Sequence, residues 1–140
     1  MEKVRYGIIG IGKMGSGHAK RLKAGLDKNA ALTAVCDIAE DRREWAKQSL
    51  KDVTVFDDYR ELIQSPSVDA VVVATPHYLH PTIAIEALNA GKHVLIEKPA
   101  GVYTKAVELL NETAKQNGSL VFGIMYNQRS NPLYKKAKSI

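Results

Sequence analysis

A short, nearly continuous apolar run at residues 4–9 stops at a cluster of glycines, and a helical pattern begins directly after it. The stretch reads Gly7-Ile8-Ile9-Gly10-Ile11-Gly12-Lys13-Met14-Gly15-Ser16-Gly17-His18. Gly10, Gly12 and Gly15 fit the G-x-G-x-x-G spacing of a dinucleotide-binding turn. That turn asks for glycine first to allow a tight strand-to-helix reversal, then to let the backbone approach a pyrophosphate, then to let helix and strand pack closely. The anion sits at the helix N-terminus, where unpaired N–H groups and the positive end of the dipole face it. Alone, the spacing is a weak signal, because glycines also cluster in ordinary loops. Its meaning depends on what surrounds it.

What surrounds it is an alternation of strands and helices. Further strand patterns fall at residues 31–36, 53–56, 69–74, 93–96 and 120–125, and helical patterns at 39–50, 59–64, 81–89 and 104–116. Residues 69–74, Asp-Ala-Val-Val-Val-Ala, are β-branched and do not alternate with polar residues, as expected of an interior parallel strand. The first helix carries Met14, Ala19, Leu22 and Leu26 as its apolar stripe, with Gly25 and Asp27-Lys28-Asn29 ending it. Pro81 suits the first turn of a helix, and Asn117-Gly118 a helix stop. The whole is an α/β pattern: a doubly wound parallel sheet of about six strands with helices on both faces.

In such a sheet, ligands bind outside the carboxyl ends of the strands. The first strand ends on the glycine turn, and the second on Asp37, 22 residues after Gly15. That is near the spacing of an acid that accepts hydrogen bonds from an adenosine ribose. Asp37 would also repel a 2′-phosphate, although Arg42 and Arg43 lie one helical turn on and could meet one instead. A second role for Asp37 is the N-cap of the following helix. The fourth strand ends on Thr75, Pro76, His77 and His80, the fifth on Glu97 and Lys98, and the sixth on Tyr126, Asn127 and Arg129. Nothing fixes the direction of His77, and His93 reads as structural.

Composition excludes several classes. With 140 residues, 45% of them hydrophobic, the chain can bury a real core. No apolar run approaches the length of a membrane span. The first residues run straight into a strand pattern, which leaves no room for a signal peptide. A single cysteine, Cys36, precludes an intrachain disulfide and suits a reducing compartment, so a cytoplasmic location is expected. The net charge of +5 is spread along the chain without a nucleic-acid motif, and neither nucleic acid nor membrane is an expected partner. No metal site is expected.

Glu97-Lys98-Pro99 follows Gly91-Lys92-His93-Val94-Leu95-Ile96 and is preceded by Ala74-Thr75-Pro76 and His80. Together with the glycine turn, His18, Asp37 and Tyr126-Asn127-Gln128-Arg129, this order resembles the N-terminal domain of the glucose–fructose oxidoreductase, inositol dehydrogenase and MocA family. The resemblance covers nearly the whole chain. It implies an NAD(P)-dependent oxidoreductase that moves hydride between a nicotinamide cofactor and a sugar, cyclitol or related polyol. It also implies a C-terminal domain that supplies an aspartate and a histidine for catalysis, much of the substrate pocket, and the subunit contacts of a homo-oligomer. By the same resemblance the Gly10–Gly15 turn, through the backbones of Gly12, Lys13 and Met14, would face the pyrophosphate, and Asp37 would hold the ribose. Thr75, Pro76 and His80 would line the nicotinamide half. Glu97 and Lys98 would sit at the reacting end, with Lys98 stabilising negative charge on the substrate oxygen. The alternative for Lys98 is a surface lysine. Asn127 and Arg129 would contact substrate or nicotinamide. Asp37 favours NAD, with NADP possible.

The expected division is a dinucleotide-binding domain at residues 1–126 and the start of a connection at 127–140. Asn131-Pro132 opens a further helix with Leu133, Ala137 and Ile140 on one side and no stop signal, so the chain reads as a fragment that would not complete the reaction alone. A non-catalytic nucleotide-sensing or scaffold domain is the other reading.

Overall fold

The apolar runs do become parallel strands, and the periodic segments between them become helices. The computed structural model describes residues 3–139. Strands β1 (Val4–Ile9), β2 (Ala30–Cys36), β3 (Thr54–Phe56), β4 (Ala70–Val73), β5 (His93–Ile96) and β6 (Phe122–Ile124) form one sheet in the order β3-β2-β1-β4-β5-β6. Every pairing is parallel. Helices α1 (Lys13–Lys23), α2 (Glu40–Ser49), α3 (Tyr59–Gln64), α4 (His80–Asn89) and α5 (Thr104–Gln116) connect them. A 3-10 turn, His77–Leu79, leads into α4, and another, Asn127–Ser130, into α6 (Pro132–Lys138). The expected doubly wound parallel sheet is the fold observed.

Strand side chains point alternately to two cores, as a pleated strand requires. Ile9, Val71, Val73, Val94 and Ile96 pack with Leu62 and Ile63 of α3, four residues of α4, and Leu110 of α5. Ile8, Val35 and Val72 pack on the other face with Ala19 of α1 and Ala46 of α2. The chain lays down β1, β2 and β3 in one direction, then returns to place β4, β5 and β6 in the other. The reversal lies between β1 and β4, and such a switch point opens a crevice at the strands' carboxyl ends.

Two expectations about α1 are corrected. Leu26 does not join its stripe, because the helix ends at Lys23 and Gly25 turns the chain at φ +67°, leaving Leu26 73% exposed. Met14 is 51% exposed, since the first turn of α1 projects beyond the sheet edge that buries Ala19. At the other end, Asn131 caps α6, accepting the Leu133 N–H at 3.0 Å with Pro132 in the first turn, as expected. No residue of α6 is buried, and Ile140 lies outside the described residues. No helix among the described residues is long and apolar enough to cross a membrane.

Candidate functional site

The crevice at the switch point is a cleft of about 520 Å³. Ten of the sequence-predicted residues line it: Gly10, Gly12, Lys13, Met14, Asp37, Thr75, Pro76, His80, Glu97 and Lys98. Gly15 lies buried beneath the turn. Asn127 and Arg129 fall on the exposed 3-10 turn after β6 and do not line the cleft. His77, Ile38, Tyr59, Leu79 and Ile83 line it without having been expected there.

The three glycines serve different ends. Gly10 has φ +86°, and a Cβ there would meet the Ala74 carbonyl oxygen at 2.8 Å. Its N–H donates to the Cys36 carbonyl, which ties the turn to β2. A Cβ on Gly15 would stand 1.8 Å from the Gly10 carbonyl oxygen. A Cβ on Gly12 would meet nothing within 4 Å, so the space in front of it is open. Gly12 is also the N-cap of α1; no side chain caps the helix and no acid lies in its first turn. The free N–H groups there are available to an anion.

Asp37 does more than face the cleft. One carboxylate oxygen accepts the Ile11 N–H at 2.8 Å, and the other accepts the Ala39 N–H at 3.0 Å. It therefore brackets the glycine turn to the loop after β2. It does not cap α2, whose N-cap is Ala39. Each oxygen keeps a lone pair for a further donor. Arg43 donates to the carbonyls of Asp37 and Ile38, and Arg42 lies 3.5 Å from Asp41, so both guanidinium groups already have partners.

On the β4 side, the Thr75 hydroxyl is buried without a hydrogen-bond partner among the described residues. A buried unpaired hydroxyl is costly and marks a place where a ligand or water completes the structure. His80 is fully buried, with Nδ1 2.8 Å from the Pro99 carbonyl and Nε2 2.9 Å from the Thr75 carbonyl. Each ring nitrogen faces a carbonyl of a different loop, and the ring forms part of the wall. Glu97 is 6% exposed and directs its carboxylate inward: Oε1 lies 2.7 Å from His18 Nε2, and Oε2 accepts the Lys98 N–H at 3.2 Å. Lys98 is exposed, and its ammonium has no partner among the described residues. Burial pushes the Tyr59 hydroxyl up to about 12, helped by its hydrogen bond to Glu86, so Tyr59 contributes a neutral phenol to the wall.

These features fit a dinucleotide: an open glycine beside an uncapped helix N-terminus, an acid at the end of β2, and an orphaned hydroxyl at the end of β4. Residues 4–124 match the model of an oxidoreductase family with an NAD-binding Rossmann fold, the glucose–fructose oxidoreductase, inositol dehydrogenase and MocA family. The chain belongs to that family. It is 36% identical over 136 residues to a myo-inositol 2-dehydrogenase of Thermotoga maritima, covering 96% of this chain and 40% of that protein. It is 32% identical over 138 residues to an inositol 2-dehydrogenase of Salmonella paratyphi B, covering 98% of this chain and 41% of that protein. Among solved structures, it superposes on a scyllo-inositol dehydrogenase of Lactobacillus casei with bound NAD(H) and scyllo-inositol. That match has a TM-score of 0.92 and 32% identity, covering 99% of this chain and 40% of that one. The chain thus spans about two fifths of the length of the relatives it matches. What it carries is the family's NAD-binding Rossmann domain.

The residues missed from sequence share a cause. Ile38 signals itself only by being an apolar side chain left 88% exposed beside the acid at the end of β2. Tyr59 opens α3, Leu79 ends the 3-10 turn before α4 and Ile83 lies on α4, and nothing in their sequence pattern marks them as lining a cleft. His18 and Glu97 lie 79 positions apart, and only the packing of α1 over the sheet joins them.

Proposed function

We propose that this chain is the cofactor-binding part of an NAD-dependent dehydrogenase that oxidises a cyclitol or related polyol, in a longer protein whose remainder supplies the rest of the substrate pocket. The proposed division leaves residues 1–126 as the dinucleotide-binding domain and 127–140 as the start of the connection. The observation that carries this reading is a single cleft holding both an open anion site at Gly12 and the unpaired ammonium of Lys98. The names of the relatives support the substrate class.

The backbones of Gly12, Lys13 and Met14 would hold the pyrophosphate and Asp37 the ribose, while Thr75 would donate its hydroxyl along the nicotinamide half. The bound nicotinamide supplies a hydride acceptor. Lys98 would donate a hydrogen bond to the substrate oxygen and stabilise negative charge on it as the carbon–hydrogen bond breaks. Asn127 and Arg129, on the turn after β6, would reach substrate only with the remainder of the protein in place. A cytoplasmic location and a homo-oligomer accompany the proposal; the single cysteine, Cys36, buried and free, fits the former.

The test is a dehydrogenase screen of the complete gene product against inositols and sugars with both nicotinamide cofactors. Oxidation of at least one polyol, lost in Lys98→Ala without comparable loss of NADH affinity, supports the reading. Tight NADH binding with no oxidation of any polyol would replace it with a nucleotide-sensing domain.

A further inference from the structure

Glu97 is buried at the end of β5, and a buried carboxylate without partners costs several kcal/mol. Two partners hold it. His18 Nε2 lies 2.7 Å from Oε1, and the Lys98 N–H reaches Oε2 at 3.2 Å. On the far side of Lys98, the Pro99 carbonyl is held by His80 at 2.8 Å. The backbone around Lys98 is therefore held from α1 on one face of the sheet and from α4 on the other.

The contact from α1 has a further consequence. The pair crosses the sheet's switch point, because α1 follows β1 while Glu97 follows β5. The helix whose N-terminus faces the open space at Gly12 thus also holds the loop that presents Lys98. One rigid element thus joins the first site to the backbone that carries Lys98. Hydride transfer depends on such placement, and displacement by about 1 Å can cost a hundredfold in rate.

We propose that His18 is a positioning residue for Lys98, acting through the Glu97 carboxylate. This rests on the dehydrogenase reading for its kinetic part alone. His18 touches no expected position of cofactor or substrate, and its ring is part-buried against Glu97. Its removal frees the carboxylate to swing, and Lys98 loses its register with the anion site while the anion site itself stays intact.

The test compares His18→Leu with His18→Gln, whose amide N–H can still donate to Glu97. In the ¹⁵N-labelled 140-residue chain, the Lys98 amide proton is expected to move upfield in H18L, as its carboxylate bond loosens, and to return in H18Q. In the complete gene product, kcat is expected to fall about tenfold in H18L and to recover in H18Q, with the Kd for NADH within about twofold of wild type throughout. Combined with Lys98→Ala, H18L should cost nothing further in kcat, because its effect runs through Lys98. An unmoved Lys98 amide in H18L overturns the proposal, as does a loss of kcat that H18Q fails to restore. If H18L does not fold, His18→Ala carries the same readings. If the wild-type gene product oxidises no polyol, the dehydrogenase reading falls while the amide measurement still decides the role of His18.

Discussion

Gly12 and Gly15 sit three residues apart in one motif, yet substitution should separate them cleanly. Within the helix, at Gly15, alanine is intrinsically favoured over glycine by up to about 1 kcal/mol, whereas at the N-cap, Gly12, glycine is the better residue. At Gly15 the new methyl would lie 1.8 Å from the Gly10 carbonyl oxygen, a backbone atom that cannot rotate away. Gly15→Ala should therefore destabilise the chain by about 1–3 kcal/mol in urea unfolding. At Gly12 the methyl meets nothing, so Gly12→Ala should cost no more than about 1 kcal/mol, the loss of a favourable N-cap residue, while weakening NADH binding at least tenfold in a fluorescence titration. Equal effects of the two substitutions on stability would show that the open space at Gly12 is not reserved for a ligand. Asp37 makes a related distinction. Both its oxygens accept backbone N–H groups, so Asp37→Asn must turn an NH₂ toward a donor. A loss of about 1–2 kcal/mol in the absence of cofactor is expected, whereas an acid serving ribose alone would show none. With Asp37 in place, NADH should bind about tenfold tighter than NADPH, the factor that about 1.4 kcal/mol of repulsion produces.

At the scale of elements, the far end of the sheet is held as firmly as the cleft end. Arg5 at the start of β1 donates to both carboxylate oxygens of Asp69, just before β4, at 2.9 and 2.6 Å, and the Arg5 N–H adds a third bond at 2.8 Å. These bonds hold the Asp69 carboxyl at about 2, below its ordinary 3.8, with burial opposing. The folded value lies below the unfolded one, so the clasp contributes fully above about pH 4 and is lost as the pH falls through about 2. Its side chains are 44% and 35% exposed, and solvent screening leaves about 1 kcal/mol or less. Asp69→Asn should lower unfolding free energy by about that amount at neutral pH, and the gap to wild type should close between about pH 4 and pH 2. A gap that persists unchanged to pH 2 would place the effect outside the ion pair. The elements themselves were legible because interior parallel strands such as β4 must be apolar on both faces, and the breaks between them carry Gly, Pro and Asn. The cleft was legible as strand ends for the same reason. The directions of polar side chains were not. Glu97 and His80 line the cleft, but their partners were not readable: Glu97 faces His18 and His80 spans two carbonyls, because the packing of distant segments decides where a buried polar group finds its partner.

For the whole molecule, the cleft separates binding from turnover. The groups that fit a dinucleotide come from β1, β2, β4 and β5, all within the described sheet, whereas the Lys98 side chain is exposed and its ammonium has no partner among the described residues. The relatives are roughly two and a half times as long, from the 40% of their length that this chain covers. Cofactor binding should therefore be a property of the 140-residue chain, and oxidation a property of the longer protein. A ligand that binds only the folded state stabilises it by about 2.7 kcal/mol at a free concentration of 100 times its Kd. Adding NADH to the chain should accordingly raise its melting temperature by several degrees, with a smaller rise for NADPH and almost none in Gly12→Ala. The same sample, supplied with NAD and inositols, should reduce no measurable cofactor, because the substrate would have a wall on one side and water on the other, and water would compete for the hydrogen bond proposed from Lys98 to the reacting oxygen. Turnover by the chain alone would show that the strand ends of this one sheet suffice to exclude that water. A melting temperature indifferent to NADH would mean that the open glycine and the uncapped helix do not make an anion site without the rest of the protein.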